Sequence, residues 1–253
     1  MKLLSKLGAL LFPPRCAACG KLQRPPKGDE APLTLCPDCA GNFEKALRAE
    51  CHECGLPTYL CQCVPAVMAK AGITEYVKLV PYGETKELRV PRRLVLFMKD
   101  HARRDVFFFV ANELKSGVAD ALRRSAARFQ RDGTPLPDTV IAYLPRQKRT
   151  ARQVGHDQAK ELSHALSKVT GIPTADLLSR TRRADMQKGL SAEERMQNLS
   201  GVFTAGNAAG LRVLLVDDVV TTGAGMMHGA KALLRAGAAE VIAVSVAHTP
   251  KRK

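Results

Sequence analysis

The chain contains no tryptophan and only four tyrosines among 253 residues, and aromatic residues make up 5% of it. So sparse a supply of flat rings excludes a binding surface built chiefly on stacked bases. No cysteine occurs after Cys63, which excludes a disulfide framework running through the body of the protein. No segment reaches the roughly 20 consecutive apolar residues of a membrane-spanning helix. Low-complexity tracts are absent too, and with 45% hydrophobic residues there is enough apolar material to close a core. The length suits one α/β domain of ordinary size beside a small stapled module.

What cysteine there is comes in a pattern: Cys16-x-x-Cys19, Cys36-x-x-Cys39, Cys51-x-x-Cys54 and Cys61-x-Cys63. Two intervening residues let both thiolates of a tight turn face one ion, and glycine follows Cys19 and Cys54, where the backbone must curl around sulfur. One full four-cysteine zinc site is expected. A second would include Cys61-Gln62-Cys63, whose single intervening residue makes a strained chelate. Sequential and crossed pairings both satisfy the spacing. Disulfides would need an oxidising compartment. The start of the chain, Met1 to Phe12, has lysines and an apolar stretch but no small-residue cleavage site before Pro13-Pro14. It reads as an amphipathic helix capping the cysteine module, so a cytoplasmic chain is expected, peripheral to the membrane at most.

Acidic residues are in deficit: 39 Lys and Arg stand against 24 Asp and Glu, a formal charge of +15. Each zinc held by four thiolates contributes about −2, so two such sites would bring the charge to about +11. Arginines and lysines gather at Arg89, Arg92, Arg93 and Lys99, again at Arg123, Arg124 and Arg128, and at Arg146, Lys148, Arg149 and Arg152. Single-stranded DNA is a candidate partner for this surface, through backbone-dominated, salt-sensitive contacts. Phe107-Phe108-Phe109 is read as core packing, not as a base-stacking platform.

Helical spacing predicts helices over Glu87–Asp100 and Asp105–Phe129, with a short strand over Glu75–Pro81 before them and a polar break over Arg131–Pro137 after them. Thr139–Leu144 is a buried-strand candidate that runs into Pro145-Arg146-Gln147-Lys148-Arg149. Leu211–Val216 is too continuous for a half-exposed strand and is read as a central parallel strand buried on both faces. It ends in Asp217-Asp218, then Thr221-Thr222-Gly223-Ala224-Gly225, then a helix expected over Met226–Ala236. Open α/β sheets bind ligands at the C-terminal ends of their strands. Two adjacent carboxylates there need hydrogen-bond donors or a divalent cation, and a vicinal diol with a bound divalent cation supplies both. The Thr/Gly loop at a helix start favours an anion. A 5-phosphorylated ribose is the ligand implied.

The segment resembles the 5-phosphoribosyl-1-pyrophosphate (PRPP) signature of type I phosphoribosyltransferases. That resemblance implies ribose and Mg²⁺ at Asp217 and Asp218, the 5-phosphate at Thr221 to Gly225, and pyrophosphate at Arg146, Gln147 and Lys148. Gly225 stands where the signature usually has a hydroxyl. Further along, Arg149-Thr150-Ala151-Arg152, Gln158 opening a helix over Ala159–Val169, Gln187, Glu194-Arg195 and Asn198-Leu199-Ser200-Gly201 join the N-terminal cysteine pairs in an order that resembles the ComF family of competence-associated proteins. Arg149, Arg152, Gln158, Gln187, Arg195 and Asn198 are its matching polar positions. Glu194 three residues after Ser191 is the spacing of a capping box, so a short helix is expected there. The chain departs from the family at Val154-Gly155-His156-Asp157-Gln158, where the family usually reads Arg-Gly-Phe-Asn-Gln.

The resemblance implies an α/β fold: a phosphoribosyltransferase-like parallel sheet flanked by helices over residues 65–253, and a zinc-ribbon-like module over residues 1–64. It implies binding of PRPP or a nucleotide, contact with DNA-uptake machinery, and handling of incoming single strands. Two alternatives stand beside it: a catalytic phosphoribosyltransferase that releases pyrophosphate, and a zinc-containing nucleic-acid adaptor with a vestigial ligand site. A catalytic enzyme needs a hood that reads the incoming base, and the cysteine module is the candidate. His156, His164 and His228 are read as surface or packing residues.

Overall fold

The structure, a computed structural model, describes residues 13–24, 33–181 and 202–250. The expected N-terminal helix and the positions Gln187, Glu194, Arg195 and Asn198 lie outside these.

Four strands form one parallel sheet: β1 (Ile73–Pro81), β2 (Thr139–Tyr143), β5 (Arg212–Val220) and β6 (Glu240–His248), in the order β1-β6-β5-β2. A parallel sheet must hide both faces, and alternate residues along β5 serve the two. Leu214 and Val216 join the core formed with α3 (Arg89–Asp100), α4 (Arg104–Arg131) and α6 (Gln158–Thr170). Val213 and Leu215 join the core formed with α7 (Ala224–Arg235) and the short α2 (Ala66–Ala69). A small antiparallel pair, β3 (Leu178–Arg180) and β4 (Phe203–Ala205), packs against α7. The cysteine-bearing helix α1 (Pro37–Leu47) adds Phe43 to the first core, 5.4 Å from Phe109 between ring centroids. Phe107 is buried in that core, whereas Phe108 is exposed.

Three expected boundaries move. β5 runs past Val216 to Val220 because pairing with β6 continues through Asp217 opposite Ser245 and Val220 opposite His248. The acidic pair therefore sits within the strand. Helix α7 begins at Ala224, because Gly223 takes the left-handed conformation at φ 81° and turns the chain into it. Residues Lys148–Val154 form a short helix, α5, where a cationic loop is expected, and Gly155 at φ 84° ends it.

The N-terminal ends of the strands are tied together by ionic contacts with α4. Glu75 pairs with Arg124 at 2.8 Å and with Arg128, and Arg128 also reaches Glu240 at 2.6 Å. Ser125 donates to Glu240, and Arg212 donates to Ser125 at 2.9 Å and to Thr139 at 2.7 Å. Thr74 completes the set with a 2.7 Å bond to Glu240.

Helix α7 lies close on the sheet because Gly229 has no side chain. A β-carbon there would come within 2.6 Å of Leu144 and 3.1 Å of Leu215. Gly229→Ala is expected to cost about 1–3 kcal/mol by overpacking, read by denaturant unfolding; an unchanged midpoint would show that Leu144 swings away freely.

Candidate functional site

Adjacent side chains on a pleated strand leave it in different directions, yet the carboxyl groups of Asp217 and Asp218 stay close enough to interact. Asp218 turns toward α3 and α6, where its side chain is 6% exposed. One oxygen accepts the Val219 N–H at 2.7 Å; the other takes Gln158 Nε2 at 3.2 Å and faces Lys99 Nζ at 3.5 Å. Asp217 lies on the α7 side, half-buried, and accepts the Asp218 N–H at 2.8 Å. Burial, reinforced by the neighbouring Asp218 carboxylate, holds the Asp217 carboxyl well above the usual carboxylate range. Ser245, opposite Asp217 in the register, shares a 2.8 Å hydrogen bond with the buried Tyr76 hydroxyl.

After β5 the chain passes Thr221 and Thr222 to Gly223 and enters α7. Thr222 Oγ1 accepts the Ala224 N–H at 3.3 Å. The first N–H groups of a helix have no acceptor within it, so this end of α7 favours an anion. Gly223 also permits close packing, since a β-carbon would meet Met68 and Val67 at 3.0 Å.

β2 ends beside β5, Leu144 donating its N–H to Val216 at 3.0 Å. Pro145, Arg146 and Gln147 then lead to α5, which Lys148 and Arg149 open. The Arg146 N–H is held by Asp157 Oδ2 at 2.8 Å, and the other oxygen of Asp157 caps α6 by accepting from Ala159 and Lys160. The Arg146 guanidinium reaches the carbonyl of Lys99 at 3.5 Å, and His156 Nε2 lies 2.9 Å from the carbonyl of Met98. Arg146, Gln158 and Asp218 are thus gathered around the last turn of α3. Arg152 is exposed on α5. Lys99 and Asp157 are absent from the sequence-based set of site residues, although an Asp just before a helical pattern is a capping signal.

A cavity of about 1000 Å³ opens beside the loop. Thr221 and Thr222 line one side, Lys78 and His248 rise from the sheet, and Cys51 and Cys63 close it from the cysteine-rich segment. Lys78 is buried and donates to the Cys63 carbonyl at 2.8 Å and the Cys61 carbonyl at 3.4 Å. Burial, with Lys78 nearby, pushes His248 down to about 4, so its ring is neutral near pH 7. Its Nδ1 is buried without a hydrogen-bond partner among the described residues.

The cysteines resolve into sequential groups, Cys16, Cys19, Cys36 and Cys39 in one and Cys51, Cys54, Cys61 and Cys63 in the other. Within each, the four sulfurs lie within 4.8 Å of one another. Cys19 and Cys36 are 3.7 Å apart and Cys54 and Cys61 3.6 Å, close to the sulfur spacing of roughly 3.8 Å that a tetrahedron with Zn–S near 2.3 Å requires. Both groups could hold zinc, including the one with the single-residue spacing. Burial pushes the Cys16 thiol up, but backbone N–H groups of Cys36, Cys19 and Ala18 outweigh it and bring it to about 7, an environment that suits a thiolate. Cys16, Cys36 and Cys39 are buried in the first core, whereas Cys54 is exposed. Cys36→Ser is therefore expected to lower the melting temperature more than Cys54→Ser, each variant losing zinc from its own cluster by elemental analysis. Equal shifts in melting would contradict the unequal burial.

Residues 148–253 match the phosphoribosyl transferase domain, a stretch that takes in α5 and Asp217 to Gly225. The homologues are of the ComF kind that the motifs resemble. Competence protein F of Haemophilus influenzae is 35% identical over 111 residues, 42% of this chain and 48% of that protein. The DNA utilization protein YhgH of Salmonella typhi is 33% identical over 51% of this chain and 58% of its own length. That of Escherichia coli O157:H7 is 29% identical over 82% of this chain and 87% of its own length. The chain thus spans about half the length of the first two curated relatives and most of the third. Among the described residues, no helix is long and apolar enough to cross a membrane.

Proposed function

We propose that this chain is a phosphoribosyltransferase-like protein of DNA uptake that binds PRPP, or a nucleotide built from it, together with Mg²⁺. The observation that carries the reading is the end of β5, where Asp217 and Asp218 flank the strand and Thr221, Thr222 and Gly223 lead directly into the N-terminus of α7. A sugar lying across that end meets both carboxylates, and its 5-phosphate meets the start of the helix. Arg146 and Gln147, with Lys148, are the candidates for the pyrophosphate. The raised Asp217 carboxyl fits a site completed by a cation: burial and the Asp218 carboxylate outweigh the nearby Lys99, and Mg²⁺ would add positive charge there. The printed names of the relatives, competence and DNA utilization, support the process. The basic surface carrying Arg89, Arg92 and Arg93 supports contact with single-stranded DNA, and the uptake machinery is the wider partner.

Calorimetric titration with PRPP, with and without Mg²⁺, tests the site. Binding that strengthens with Mg²⁺ and is lost in the double variant Asp217→Asn, Asp218→Asn is expected. Equal affinity in that variant would remove the assignment.

The cavity favours a second reading, transfer of the phosphoribosyl group to a nucleophile. It adjoins Thr221 and Thr222 and is closed by the second cysteine cluster, which gives it the place of a hood. Pyrophosphate release that saturates with one base of a panel would support transfer; binding without turnover leaves the first reading alone.

A further inference from the structure

Lys99 is not among the positions matched to any motif, yet its ammonium stands 3.5 Å from the buried Asp218 carboxylate. Three features fix it there. The Arg146 guanidinium holds the Lys99 carbonyl, His156 lies against the preceding carbonyl of Met98, and Gln158 binds the same carboxylate oxygen that Lys99 faces. The Lys99 side chain is still 29% exposed, against 6% for Asp218. Part of this side chain is thus open at the end of β5.

The two anionic parts of a sugar phosphate have separate candidate residues at this end of the sheet. The loop at Thr221 and Thr222 leads into α7 and is the candidate for the 5-phosphate. Lys99 sits instead beside Arg146, the candidate pyrophosphate residue, whose guanidinium reaches the Lys99 carbonyl at 3.5 Å, so the two residues are held together at this end of the sheet. We propose that Lys99 is a diphosphate-binding residue: its ammonium, paired with Asp218 in the free protein, contacts the diphosphate on the anomeric carbon of PRPP when the ligand is bound. The proposal rests on the PRPP reading above and deepens it. An ammonium serves such a group as a compact point charge with three donors, part of which remains available while Asp218 keeps its bond from Gln158 and the Val219 N–H.

The test compares two ligands that differ only in the diphosphate. Wild type, Lys99→Met and Lys99→Arg are titrated with PRPP and with ribose 5-phosphate, with and without Mg²⁺, after thermal melts establish that each variant is folded. Lys99→Met is expected to weaken PRPP by about 10- to 100-fold, as for loss of a charge-assisted contact. The same change should move ribose 5-phosphate by less than about threefold, and Lys99→Arg, which keeps the charge, should restore much of the PRPP affinity. Equal weakening of both ligands would overturn the proposal and show that Lys99 acts only through Asp218. Unchanged PRPP affinity would overturn it too. A wild type that binds neither ligand would bring down the PRPP reading itself, and this proposal with it.

Discussion

Asp217→Asn is expected to make the free protein more stable while weakening its hold on PRPP. Burial and the adjacent Asp218 raise the Asp217 carboxyl, so its charge costs free energy at pH 7. A carboxyl raised in the folded state favours folding while protonated, at low pH, and that contribution is lost as pH climbs from the unfolded value near 4. Asparagine has nothing to lose. The variant should therefore match wild type near pH 4 and exceed it by about 1–2 kcal/mol near pH 8, a size usual for removing strain at a functional site. When Asp218 is also changed to asparagine, PRPP affinity should fall by about 100-fold or more, since charge-assisted bonds from both carboxylates to the sugar are then gone. Melting curves at the two pH values and one titration read both effects. A variant less stable than wild type at pH 8 would mean that the charge of Asp217 is compensated in the free protein.

Glu240→Ala should produce the largest loss of stability. Its side chain is 3% exposed and binds Arg128 at 2.6 Å, with Thr74 and Ser125 as further partners. Arg212 is buried beside Ser125, and burial brings its guanidinium below the ordinary arginine value. Removing Glu240 leaves Arg128 with Glu75 alone and takes away the carboxylate whose charge favours the buried Arg212, and breaking one partner of a buried pair costs about 3–5 kcal/mol. For a protein of this size that is roughly 6–20 °C in melting temperature. Because the network lies at the opposite ends of the strands from Asp217 and Thr221, PRPP affinity measured below the melting range should change less than about threefold. A parallel loss of affinity at that temperature would show the two ends to be coupled.

Helices α3, α4 and α6 and strands β1 and β2 are legible in the sequence to within a few residues, since apolar spacing and polar breaks mark them directly. The end of β5 is less so: two aspartates and a threonine pair look like a strand giving way to a loop, and only the parallel pairing with β6 carries the strand on to Val220. The sequence reading omits β6 and the β3–β4 pair. The sequential grouping of the cysteines is also undetermined by spacing, because a crossed arrangement satisfies the same chelate geometry. Lys99 is hidden for a different reason. Within Leu96-Phe97-Met98-Lys99-Asp100 it reads as one more charge on a basic helix. Only the approach of the end of α3 to β5, across more than a hundred residues of chain, gives it a carboxylate to face.

The sheet order also bears on how the protein is made. β1 is the first strand of the sheet and β6 the last, yet they are hydrogen-bonded neighbours, and Tyr76 and Ser245 meet across 169 positions. While a ribosome is still translating the segment between them, β1 has no strand to pair with and β5 lacks its central neighbour. Closing so long a loop is slow, and the waiting intermediate exposes apolar strand edges. The cysteine groups, encoded earliest, can capture metal long before that. Nascent chains should thus carry a finished metal module beside an unfinished sheet, and a chain broken off before Glu240 is a substrate for chaperones and proteases.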